Sequence, residues 1–268
     1  MPKRTISPVP APTPQTRALM AFEQNLDSIG HMLKLTKHQM ALMRDQSAQV
    51  ARVASFLPKA RSDIATKPGQ AKLVRSMNRL SRSLKTLTVR IEGFHTITLW
   101  QVVMLVTCVE AYLQDVLAAA ASADPELMSK SEQTALYADV IGATSLETLA
   151  NDLRARWARG WVNDGGPNRW IERLDKMGAR GYPNDLGRRL ERFWGIRHVV
   201  VHAAGVATAD FVKRHPGVVK AAGNRVRVAS QDLERFFTAV GEFINPTDRY
   251  FLARFPSLLV ATPDTSTK

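Results

Sequence analysis

The sequence predicts a mainly α-helical fold, on three observations. Apolar residues recur at helical spacing over several long stretches, proline and glycine cluster between those stretches, and β-type alternation is confined to one short segment. Of the 268 residues, 45% are hydrophobic, enough for a packed core.

Residues 1–16 carry Pro2, Pro8, Pro10, Pro12 and Pro14 in place of an apolar run. They read as a flexible tail and lack the core of a secretory signal peptide. From residue 17 to 56, Leu19, Phe22, Leu26, Ile29, Leu33, Met40 and Met43 recur at helical spacing, predicting one long helix or two joined near Lys37. Pro58, Pro68 and Gly69 mark a connection.

Over residues 71–91, Leu73, Met77, Leu80, Leu84, Leu87 and Ile91 fall on one helix face, while Lys72, Arg75, Arg79, Arg82 and Arg90 fall on another. The cationic stripe suits a phosphate backbone, and it equally suits plain exposure to solvent. A further helix is expected near 96–121, apolar almost all round and therefore central in a bundle. Its charge-free run, Gly93 to Val109, is shorter than the roughly 20 residues of a membrane span, so burial in protein is expected rather than a membrane. Glu110 is the sole charged residue between Glu92 and Asp115. An unpaired carboxylate there would be costly, which makes it a candidate partner for a buried cation.

Residues 122–183 read as shorter helices around 145–161 and 168–177, separated by Gly165-Gly166-Pro167. Asn184 or Asp185 can cap a helix running to about Ala204 and closed by Gly205. A short helical segment near 210–214 precedes a small hairpin expected over 218–228 around Gly223-Asn224. Ser230 can cap a last helix ending before Pro246. The expected organisation is a tail at 1–16, a basic helical extension at 17–92, a helical bundle at 93–255 and a second tail at 256–268.

Cys108 is the single cysteine, so no internal disulfide and no Cys-based zinc site can form, and a reducing, cytoplasmic setting fits. Neither a Gly-rich phosphate loop nor an internal repeat is present, and no cofactor or metal is expected. The net charge is +13, and it is unevenly placed. Residues 1–92 hold 16 Lys or Arg against 5 Asp or Glu, while the remainder holds 21 against 19. An excess of that kind suggests an anionic partner, nucleic acid before membrane.

The segment from Asp185 to Ala204 carries the candidate chemistry. Leu186, Leu190, Phe193, Val200, Val201 and Ala204 share one helical face, and Arg197 falls near the middle of it. A guanidinium there needs a carboxylate, an interface or a bound anion, and Glu110 is the expected carboxylate. Five residues on comes His202, with His198 between. An imidazole can move protons both ways at neutral pH, and an arginine can grip a phosphate through two parallel hydrogen bonds. The same residues also fit a structural Arg–Glu pair with an incidental surface histidine.

The string R-H-V-V-V-H at 197–202 resembles the R-x-x-x-x-H signature of HEPN domains. The A-A-G-V that follows is similar to the H-N-G-G-[IV] run of the RiboL-PSP-HEPN branch, E-A-Y-L at 110–113 resembles its F-E-A-Y-L, and R-V-R-V-A-S-Q-D-L resembles its closing hairpin and helix. The resemblance covers about residues 90–255. It departs at Ala203-Ala204, where polar residues are common, and residues 1–89 take no part in it. It implies an all-α, HEPN-like helical bundle that cleaves RNA without a metal, by attack of a 2′-hydroxyl on the adjacent phosphate. His202 would transfer the proton, Arg197 would stabilise the phosphoryl charge, His198 would assist, and Glu110 would hold Arg197. Lys72, Arg75, Arg79 and Arg82 are the candidate RNA contacts. A homodimer is implied, in a defence or toxin setting with an antitoxin or regulatory protein. A HEPN-fold module that binds RNA or protein without cleavage is the alternative, and a purely structural helical protein is a third.

Overall fold

The computed structural model describes residues 15–64, 70–129 and 135–259. Side chains at residues 40, 43–64, 70–94 and 137 lie outside the described residues, as do residues 1–14 and 260–268. The fold is an all-α bundle: α1 (Arg17–Ile64), α2 (Gln70–Ala123), α3 (Tyr137–Gly142), α4 (Leu146–Asn163), α5 (Pro167–Met177), α6 (Leu186–His202), α7 (Ala209–Arg214) and α8 (Ser230–Arg254). Among the described residues there are isolated bridges but no strands.

Most helix boundaries follow local chemistry. Ser145 accepts the N–H of Thr148 at 3.1 Å and starts α4, and Thr208 accepts the N–H of Phe211 at 3.1 Å and starts α7. Gly178, at φ +107°, closes α5 in a conformation that glycine adopts freely. Two boundaries differ from expectation. The helices expected at 71–91 and 96–121 are one 54-residue helix, α2, with Gly93 inside it. Nor does α8 stop at Pro246; it continues to Arg254. A proline inside a helix costs about 3 kcal/mol. Burial of Phe251 beyond it contributes about 1.5–3 kcal/mol, and Thr247 and Asp248 are held by hydrogen bonds there as well.

The chain divides into two compact units. One unit comprises Met1–Gln24, Val109–Arg188 and Val240–Lys268. Its core is built on the i, i+3, i+4 row Val109, Tyr112, Leu113, Val116, Leu117 and Ala120 of α2, against Phe22, Trp170, Phe243 and Phe251. The Phe22 ring meets Tyr112 edge-on at 5.8 Å, and the Trp170 indole donates to the Val162 carbonyl at 2.8 Å. Asp248, only 2% exposed, gathers three donors. The Thr16 hydroxyl donates to it at 2.5 Å, the Thr16 N–H at 3.3 Å and the Tyr112 hydroxyl at 3.3 Å. Thr16 in turn accepts the N–H of Leu19 at 3.0 Å, so the start of α1 is fixed and the tail expected at 1–16 is already ordered at its last two residues.

The other unit comprises Asn25–Cys108 and Arg189–Ala239. Its core draws Ile29 and Leu33 from α1, Val102, Leu105 and Val106 from α2, Leu190, Phe193 and Ile196 from α6, and Leu233 and Phe236 from α8. Phe193 stacks on Phe236 at 4.0 Å, worth about 0.5–1.5 kcal/mol beyond area burial. The hairpin expected over 218–228 is replaced by a longer-range pairing. Val226 donates to the Gly205 carbonyl at 2.8 Å and Ala207 to the Asn224 carbonyl at 2.9 Å, so this segment pairs with the stretch after α6 and not with itself.

One described helix segment, His95–Ala123, has the length and apolar character of a membrane span, and half of its most apolar stretch is buried within the protein.

Candidate functional site

α6 is buried differently from the face its periodicity suggests. Leu190, Phe193, Ile196 and Val199 are buried, a row of i+3 steps that winds round the helix. Val201 is 47% exposed and Ala204 is exposed, although both were expected in the core. The stack of Phe193 on Phe236, with Trp194 edge-on to the same ring at 6.2 Å, sets the rotation of the helix.

That rotation decides where the candidate residues stand. Arg197 is half-buried, with its Nε closed off from solvent. His198 and His202 are exposed, their rings 4.7 Å apart and inclined at 48°, as side chains four residues apart on a helix can be. The structure therefore brings the two imidazoles together. Arg197 and His202 lie five residues apart, which sets their backbone positions about 140° apart round an ideal helix axis. Glu110 is half-buried in the unit built around Tyr112. Lys72, Arg75, Arg79 and Arg82 lie on α2, and their side chains fall outside the described residues. Among the described residues no three His, Cys, Asp or Glu side chains are grouped as metal ligands.

α6 closes through two left-handed residues, Ala204 at φ +49° and Gly205 at φ +77°. Gly205 donates back to the Val199 carbonyl at 3.0 Å. Alanine in this region is strained by about 1–2 kcal/mol, while glycine loses more freedom on folding. Ala204→Gly is expected to raise stability by about 0.5–1 kcal/mol, read by urea unfolding. A loss of stability would show that the turn is not the source of strain.

Beside this turn lies a cavity of about 200 Å³. α2 contributes His95, Thr96, Leu99 and Trp100, the end of α6 contributes Val200, Ala204 and Gly205, and the paired segment contributes Arg225, Val226 and Arg227. Neither Arg197, His198 nor His202 lines it. Sequence reading missed this site, although R-V-R-V was a usable signal: with Val226 and Val228 buried, alternation turns both arginines outward. A second cavity, of about 430 Å³, lies in the other unit and is lined by Glu172 and by the ion pair of Asp175 with Arg180.

Further round α6, His215 packs on Phe211 at 5.0 Å and against Gly195, where a Cβ would collide with the imidazole. Burial, with Arg214 and Arg192 nearby, holds His215 below the ordinary histidine range. Its place against Phe211 and Gly195 is one of packing.

Comparison of the chain with protein-family models, with curated proteins and with solved structures finds no match in any of the three.

Proposed function

We propose that this protein is a metal-independent endoribonuclease of the HEPN type that works as a homodimer. The observation that carries the reading is the pair of exposed imidazoles at His198 and His202, 4.7 Å apart on the helix that also bears the half-buried Arg197. His202 moves the proton of the attacking 2′-hydroxyl or the leaving oxygen, His198 assists, and Arg197 stabilises charge on the phosphoryl oxygens. A second copy is needed because one α6 directs Arg197 and His202 to different sides. Val201, exposed beside both histidines, offers apolar surface for that copy. A cytoplasmic defence or toxin setting, with an antitoxin or regulatory partner, goes with this reading.

Purified protein incubated with labelled RNA in chelator is expected to cleave it, and Arg197→Ala and His202→Ala are expected not to. Equal cleavage by all three would mean a contaminating nuclease and would remove the proposal. Binding of RNA without cleavage is the second reading. One observation favours it: the cavity beside α6 is lined by Arg225 and Arg227 and not by Arg197 or His202.

A further inference from the structure

We infer that the cavity between α2, the end of α6 and the 225–227 segment is a nucleotide-binding subsite, taking one base and its phosphate. Leu99, Val200 and Val226 give it an apolar lining. Trp100, 53% exposed, forms one wall with its indole available for stacking. Arg225 and Arg227 stand on the exposed side of their segment, and among the described residues no carboxylate lines the cavity. Neither arginine makes an ion pair among the described residues.

A flat aromatic wall, an apolar lining and two exposed guanidiniums suit a ligand with an aromatic ring at one end and a phosphate at the other. A simple inorganic anion would leave the indole and the apolar surface unused. The volume, about 200 Å³, is below the roughly 300–1,000 Å³ of pockets for drug-sized molecules, so the cavity has no room for a length of strand. Aromatic stacking beside a cationic groove is how single-stranded nucleic acid is held without sequence preference. This site is separate from the imidazole pair, and its occupancy does not depend on cleavage.

The test uses the full chain with two probes, uridine monophosphate and a short fluorescent oligodeoxyuridylate, which lacks the 2′-hydroxyl and so cannot be cleaved by internal attack. Affinity is read by anisotropy across a salt series. Trp100→Ala is expected to weaken oligonucleotide binding about 5- to 150-fold, the loss that follows removal of a base–aromatic stack, and Trp100→Phe should retain most of it. Arg225→Ala with Arg227→Ala is expected to weaken binding at least tenfold and to lower the salt slope by about 0.7, the share of one phosphate contact. Competition by the monophosphate, lost in the same variants, would assign the site to free nucleotide; competition by the oligonucleotide alone would assign it to a strand. Circular dichroism checks that each variant is folded. Wild-type protein that binds neither probe, or variants that bind as wild type does, would overturn the proposal. So would a Trp100→Ala change that alters oligomeric state and leaves nucleotide affinity intact, since Trp100 would then serve a subunit contact. Loss of cleavage in His202→Ala with these affinities unchanged would separate the subsite from the catalytic reading, and failure of cleavage altogether leaves the binding result standing.

Discussion

Asp248→Ala is expected to lower the unfolding free energy by about 3 kcal/mol and the melting temperature by roughly 5–10 °C. The carboxylate is the shared acceptor for the Thr16 hydroxyl, the Thr16 N–H and the Tyr112 hydroxyl, all at buried positions. Removing it leaves donors without an acceptor at about 1–3 kcal/mol each, partly offset because a desolvated carboxylate is gone. Asp248→Asn keeps one acceptor oxygen and should cost about half as much. The pH dependence has a definite sign. Burial raises the Asp248 carboxyl above its ordinary range, so the folded state holds this proton more tightly than the unfolded chain does. The stabilisation from that proton is fully present below about pH 4 and is lost as pH rises until the folded carboxyl has ionised. Wild type should therefore lose stability relative to Asp248→Asn over that rise, measured by urea unfolding at several pH values. An Asp248→Ala protein within 0.5 kcal/mol of wild type, inside the scatter of ordinary surface changes, would mean that water replaces the carboxylate and the network is not structural.

Asp248 was invisible in the sequence, and the reason is general to this chain. Its partners are 232 and 136 residues away, and nothing local distinguishes it from a surface aspartate. Features fixed locally were legible: the helices near 145–161, 168–177 and 210–214 and the close of α6 at Gly205. Features decided by packing were not. Gly93 carries a helix penalty of about 1 kcal/mol, too small to interrupt a 54-residue helix that is packed along its second half. In α6 the eye finds one apolar face, but the buried row winds round the helix, so Val201 and Ala204 were placed inward and Ile196 and Val199 were overlooked. The segment holding R-V-R-V was expected to close on itself as a hairpin, while its pairing with the stretch after α6 could only be seen in three dimensions.

The same winding of α6 gives the proposed enzyme its sharpest prediction. Taken singly, His202→Ala should reduce cleavage about 10²- to 10⁴-fold, the usual worth of a positioned acid or base, and Arg197→Ala about 10²- to 10³-fold. With the two groups about 140° apart on one helix, a phosphate held by Arg197 of one copy would meet His202 of the other. A dimer formed from one Arg197→Ala chain and one His202→Ala chain would then keep one intact site and lose the other. Equal mixing with free subunit exchange makes half of the dimers mixed, so activity should return to about a quarter of wild type from two nearly inactive stocks. Rates measured on dilution should fall faster than in proportion to enzyme as dimers dissociate. Were Arg197 and His202 to act within one chain, every mixed dimer would contain two broken sites and mixing would recover nothing. Absence of recovery, in a mixture shown by tagged pull-down to contain mixed dimers, would exclude the shared site.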